Sequence, residues 1–264
     1  MCRVLREGDV LGHDRVGSGP RAVVVLNDWM SDTSTWDGAP RYLDGERFSW
    51  AFTDLRGYGR SRGRAGAFTA LEAANDVIAL ADALGWARFA VVSHSMSTLV
   101  ALQLAQHHEG RIERAVLLTP PPPAGFGADQ AMIEAAQALA RGDDAMRAAV
   151  LSQRFGERLA KGWANYKAAR WRAAADPEAA AGYVAMFMRD GVPDPTARIA
   201  VPLLAITGEQ DAPPMRRDAV LRNLSPLCAH LEVTALAAVG HYPMQEMPPL
   251  TVALVECFLA AETR

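Results

Sequence analysis

Three serines at alternate positions, Ser93, Ser95 and Ser97, stand in the stretch VVSHSMSTLV, where an apolar run gives way to an apolar pattern of helical rhythm. A small-x-Ser-x-small pattern between a strand and a helix can present a nucleophile on a tight, strained turn. A helix beginning near Ser95 would aim its unpaired N–H groups at the site. With the N–H of Met96, those donors suit a developing oxyanion. The same stretch also reads as a serine-rich helix cap with no chemistry. The rest of the chain must decide.

A nucleophilic serine needs a base. The chain has six histidines: His13, His94, His107, His108, His230 and His241. His241, in AAVGHYPMQEMPP, falls directly after the last predicted strand and before the last helix, in the loop position where reactive side chains concentrate. His94 adjoins Ser95, so its side chain must point away from the serine, and it reads as a packing residue. His107 and His108 end a helix and read as solvated; His13 and His230 lack a loop context. The base in turn needs an orienting acid. Asp211, in ITGEQDAPP, follows a strand and would share an edge with Ser95 and His241. Glu209 is its neighbour and competitor, and Asp211 also reads as the cap of a following helix. The chain order is Ser95, Asp211, His241.

Short apolar runs at 22–27, 48–55, 87–93, 111–119, 201–208 and 230–236 predict strands, and helical spacing over 71–85, 97–108 and 249–261 predicts helices between them. This alternation implies an α/β fold with a mostly parallel, twisted sheet and helices on both faces. Four prolines, Pro120 to Pro123, end one strand. An Ala-rich, helical stretch follows until a second proline-rich boundary near 197. The expected organisation is a core domain of 1–119 and 198–264 and a helical lid of 120–197 inserted before the strand near 201–207.

The whole chain is 264 residues with 27 Lys and Arg against 30 Asp and Glu, a net charge of −3, so no basic excess marks a nucleic-acid partner. Three scattered cysteines, Cys2, Cys228 and Cys257, fit a reducing compartment better than a disulfide framework. MCRVLREGDV has no apolar signal core, which leaves Cys2 a poor lipidation site. The absence of a long apolar run predicts no membrane span. No phosphate loop, dinucleotide glycine pattern or clustered metal ligands occur, so no cofactor and no metal are expected. The reading is a cytoplasmic protein acting on a small molecule, and no sequence feature sets an oligomeric state.

Taken together, LNDWMSDTSTW (26–36), DLRGYGRS (54–61), VSHSMS (92–97), ITGEQDAP (206–213) and GHYPMQEMP (240–248) resemble the α/β-hydrolase superfamily over essentially the whole chain. DLRGYGRS is similar to that of its esterases, C–C bond hydrolases and enol-lactone hydrolases. The resemblance implies a Ser95–Asp211–His241 triad, an oxyanion hole built from the backbone N–H groups of Trp29 and Met96, and a lid over 120–197. Hydrolysis of a small, mainly apolar ester, lactone or vinylogous diketone is the implied activity. The sequence departs from the family at Asn27 and Asp28, where His and Gly are usual. An ionised Asp28 aimed at an oxyanion would oppose it. Either its carboxylate turns into a hydrogen-bonded corner and leaves the Trp29 N–H available, or Asp28 acts on the substrate. Asn27 and Asp28 are therefore candidate substrate contacts, with Trp163, Tyr166, Tyr183 and Phe187 from the lid; Phe126, Trp171 and Met186 are further lid candidates. Arg154, Arg170, Arg172 and Arg189 could meet a carboxylate. The fold also resembles cofactor-free oxygenases, perhydrolases and receptor-like binders, which keeps those readings open.

Overall fold

The computed structural model describes residues 10–192, 194 and 196–261, so Cys2 and its surroundings lie outside the described residues. Seven strands make one sheet: β1 (His13–Val16), β2 (Arg21–Leu26), β3 (Phe48–Thr53), β4 (Phe89–His94), β5 (Ile112–Leu118), β6 (Leu203–Gly208) and β7 (Leu231–Leu236). Their spatial order is β1-β3-β2-β4-β5-β6-β7. β1 runs antiparallel to β3, and every other pairing is parallel. The central strands are buried along their whole length, as in FAVVSH of β4 and LLAITG of β6. Such continuous apolar runs are what a parallel sheet covered on both faces requires. The sequence reading has six strands; β1, the short polar HDRV at the edge, carries no apolar run to reveal it.

Nine helices accompany the strands among the described residues: α1 (Ala70–Ala83), α2 (Ser97–His107), α3 (Gln130–Arg141), α4 (Asp144–Leu151), α5 (Trp163–Ala174), α6 (Pro177–Ala185), α7 (Arg217–Leu224), the single turn α8 (Pro243–Glu246) and α9 (Pro248–Ala260). None is long and apolar enough to cross a membrane. α2 packs on β4 and β5, and α7 on β6 and β7. The four helices α3 to α6 lie in sequence between β5 and β6, and this inserted segment is called the cap below. Local caps explain why this segment breaks into short pieces. Asp129, Asp143 and Asp176 each accept backbone N–H groups at the start of α3, α4 and α6, and Pro177 opens α6. Apart from a small cluster of Ala128, Ile133 and Val184, the cap shares the core of the sheet. Ala164, Ala168, Trp171 and Tyr183 belong to the same buried cluster as the sheet residues Val25, Val92 and Leu117.

Candidate active site

The end of β4 delivers Ser95 onto a turn at φ +55°, the left-handed region that side chains other than glycine occupy reluctantly. Neighbouring hydroxyls hold the turn. Ser93 Oγ donates to the Val116 carbonyl at 3.0 Å. Ser97 Oγ accepts from the His94 N–H at 3.0 Å and donates to the His94 carbonyl at 2.9 Å. Thr98 Oγ1 donates to the Ser95 carbonyl at 2.7 Å. Two of the three alternating serines therefore fasten the backbone, and Ser95 Oγ is left facing His241, 2.9 Å from its Nε2.

His241 Nδ1 lies 2.8 Å from Asp211 Oδ2, and the carboxylate fixes the tautomer by accepting the Nδ1 proton. The other oxygen, Asp211 Oδ1, accepts the Ala212 N–H at 2.6 Å. Glu209, the neighbouring carboxylate, is exposed at the surface. The loop bearing His241 is held tightly. Its own N–H donates to the Arg154 carbonyl at 2.6 Å. Glu246, fully internal to the loop, accepts the N–H groups of Gly156, Gly240 and Tyr242 at 2.8–3.0 Å. Glycine is required at 208 and 240. A Cβ on Gly208 would come within 2.0 Å of the Gly240 carbonyl oxygen, and one on Gly240 within 2.5 Å of the Arg154 carbonyl oxygen.

Trp29 and Met96 both line a cavity of about 180 Å³ with Ser95 and His241. Among the described residues, neither of their backbone N–H groups has a protein acceptor. The rest of the wall is mostly apolar and includes Phe126, Leu139, Trp171, Phe187, Met188 and Met215. Arg154 and Asp28 are the charged side chains on it. Phe187 thus reaches the cavity, as do Phe126 and Trp171. The other lid aromatics differ from the sequence reading. Tyr166 is 52 % exposed on the outside of the cap. Tyr183 is buried between Tyr58 and Phe68, with ring centroids at 5.4 and 5.2 Å. Trp163 is sandwiched by Phe155 and Tyr242 behind the wall. Helix phase decides this, and the cap helices turn those rings toward core or solvent.

Asn27 is wholly buried and donates to the Thr53 carbonyl at 2.8 Å, which secures the loop after β2 to β3. Asp28 is buried too, and its carboxylate turns into a polar corner. Thr35 Oγ1 donates to Asp28 Oδ1 at 3.5 Å, and the Ser31 N–H donates to the Asp28 carbonyl at 3.3 Å. Lys167 reaches in from α5. Its Nζ donates to Ser31 Oγ and Thr35 Oγ1, both at 3.0 Å, and stands 3.9 Å from Asp28 Oδ1 and 5.1 Å from the Tyr242 ring centre. Burial alone would raise the Asp28 pKa. Lys167 and then His94 outweigh it and hold the carboxyl below its usual range. Sequence reasoning missed Lys167. The available signal was a lysine three residues after Ala164 and four before Trp171, on the buried face of α5. His94 was read as packing and does more than that. Its Nε2 lies 2.7 Å from the His241 carbonyl oxygen, and its Nδ1 faces Asp28 Oδ1 at 3.5 Å.

A seven-stranded, mostly parallel sheet with a capped cavity over a serine turn defines a class of enzyme fold, and the sequence independently places the chain in it. Residues 23–254 match the Alpha/beta hydrolase family, to which the chain belongs, as a hydrolase of that fold. The enol-lactonase of Burkholderia xenovorans LB400 superposes with a TM-score of 0.81 at 26 % identity, covering 95 % of this chain and 96 % of that one. A hydrolase of Pseudomonas aeruginosa PA01 gives 0.79 at 25 % identity, covering 94 % of each. Uncharacterized proteins of Mycobacterium bovis and Mycobacterium tuberculosis are 29 % identical over 103 residues, which is 39 % of this chain. That match spans only 30 % of the length of these curated relatives.

Proposed function

We propose that the chain is a serine hydrolase that cleaves a small, mainly apolar ester or lactone, or an activated C–C bond of a diketone, through a tetrahedral intermediate. For an ester or lactone, Ser95 Oγ attacks the carbonyl carbon while His241 Nε2 takes its proton. Asp211 keeps the imidazole oriented and stabilises the imidazolium. The oxyanion forms between the N–H groups of Trp29 and Met96. Collapse expels the alcohol, which takes the proton back from His241. Water, deprotonated by the same imidazole, then releases the acid and restores Ser95.

The observation that carries this reading is the unbroken hydrogen-bonded line from Ser95 through His241 to Asp211, with Ser95 on a left-handed turn beside two uncommitted N–H groups. An oxygenase or a receptor would need the His–Asp pair or the cavity, but not a serine held in that strained position. The activity of the enol-lactonase puts lactones among the first substrates to try. Intact protein treated with a fluorophosphonate probe should be labelled at Ser95 by mass spectrometry, and it should turn over a short-chain aryl ester. Loss of both in Ser95→Ala and His241→Ala is expected. A folded wild-type protein that neither labels nor turns over ester would remove the proposal in favour of an oxygenase or a binder.

A further inference from the structure

The departure at position 28 sets a problem in electrostatics. A carboxylate has been placed on the loop whose next N–H, that of Trp29, would receive an oxyanion. Asp28 lies on the same cavity wall as Ser95 and His241 and is only 2 % exposed, so water cannot screen it. Two negative charges so close in a dry site repel each other. Unless Asp28 is balanced, the transition state suffers more than the ground state.

The balance has to come from a cation, and His94 is a poor source. Its Nε2 meets a carbonyl oxygen, which only accepts, so Nε2 carries the proton. Burial pushes the ring toward its neutral form, although Asp28 pulls the other way. His94, with its Nδ1 3.5 Å from Asp28 Oδ1, therefore supplements a full cation at Asp28 and does not replace one. Lys167 is different. Its ammonium, 2 % exposed and 3.9 Å from Asp28 Oδ1, donates to Ser31 Oγ and Thr35 Oγ1, and the Thr35 hydroxyl in turn donates to Asp28 Oδ1 at 3.5 Å. The pair is bridged and desolvated, the condition in which a buried charge is tolerated.

The lysine belongs to the cap, and Asp28 to the core. We propose that Lys167, carried by the cap, is a positioning residue of the oxyanion site that cancels the charge of Asp28 and so permits transition-state stabilisation. This rests on the serine-hydrolase reading above. Other contacts seat the same helices on the same loop. Trp171 Nε1 donates to Ser31 Oγ at 3.2 Å, and Trp29 Nε1 donates to the Ala180 carbonyl at 2.7 Å. Arg170 Nε donates to Ser34 Oγ at 3.2 Å. The oxyanion loop and the cap are thus one construction, and the cap supplies the cation.

The test uses the full chain, an aryl butyrate and the fluorophosphonate probe, with circular dichroism to verify folding. In Lys167→Met, kcat and the rate constant of phosphonylation should each fall about 10²-fold, the scale of losing one oxyanion donor, while KM moves less than about threefold. In Lys167→Met/Asp28→Asn the second change removes the unbalanced charge, and both rates should return to within about tenfold of wild type. A purely structural lysine predicts the opposite, with no recovery on neutralising Asp28. If Lys167→Met does not fold, the double variant still decides. Folded and within about tenfold of wild type, it supports charge cancellation; folded and slower by 10²-fold or more, it overturns it. An unchanged kcat in folded Lys167→Met overturns it as well. Wild-type protein that never labels at Ser95 would instead mark failure of the underlying hydrolase reading.

Discussion

Asp211 divides its two oxygens between the His241 imidazole and the Ala212 N–H, so it fixes both the tautomer and the direction of the ring. Replacing it by Asn should leave the fold intact but offer the imidazole an amide that can present its NH₂ instead. We expect Asp211→Asn to lower kcat by about 10⁴-fold with a small change in KM, read from steady-state ester hydrolysis. Ser95 is subject to a second force. Its φ of +55° is a strain that a residue without a Cβ would not feel. Ser95→Gly should therefore abolish turnover and raise stability by about 0.5–1 kcal/mol in urea titration, the balance of relieved strain against added chain entropy. The three residues of the hydrogen-bonded line were legible in the sequence because each follows a strand and their order is that of the fold. Lys167 was not legible. Its partner Asp28 is 139 positions away, and nothing local distinguishes a buried lysine from a solvated one on an Ala-rich helix.

At the level of elements, the α8 turn and the His241 loop depend on one carboxylate. Glu246 satisfies three backbone N–H groups that have no other acceptor nearby, and one of them, Gly156, belongs to the cap segment. Glu246→Ala should destabilise the protein by about 2–4 kcal/mol, since buried donors left unpaired are expensive. It should also lower kcat, because His241 loses its anchored backbone. Thermal melts and ester kinetics on the same samples check both. The strands of the central sheet were readable from their apolar runs alone, within a residue or two at each end. β1 escaped because an edge strand with His, Asp and Arg has no reason to be apolar. In the cap, helix content was evident from composition, yet the orientation of each ring was not. Trp171 and Tyr166 are five residues apart on α5, and one meets the cavity while the other is exposed, a distinction set by how the helix docks.

For the molecule as a whole, the shared core of cap and sheet ties stability to the charges buried between them. Asp28 titrates below its usual range when folded, opposed by burial but held there by Lys167 and His94. A depressed carboxylate pKa contributes stability that is complete above its unfolded value of about 3.9 and drains away as pH falls below it. The urea midpoint of wild type, compared with that of Lys167→Met/Asp28→Asn, should therefore drop further between pH 4 and 2.5 and run parallel above pH 5. A constant difference across that range would mean the pair does not titrate as described. The cavity of about 180 Å³ is smaller than usual ligand pockets. Accordingly kcat/KM for aryl esters should peak at acetate to butyrate and decline at least tenfold by octanoate, and Met188→Ala, which opens the wall, should shift the optimum to longer chains. Trp29 stands on the core and Trp171 on the cap, with ring centroids 6.1 Å apart at an interplanar angle of 60°. Two indoles so disposed couple as chromophores, and any lifting of the cap pulls them apart. The protein therefore carries its own optical gauge, in which near-ultraviolet dichroism and tryptophan emission register opening without a dye, a label or a substrate.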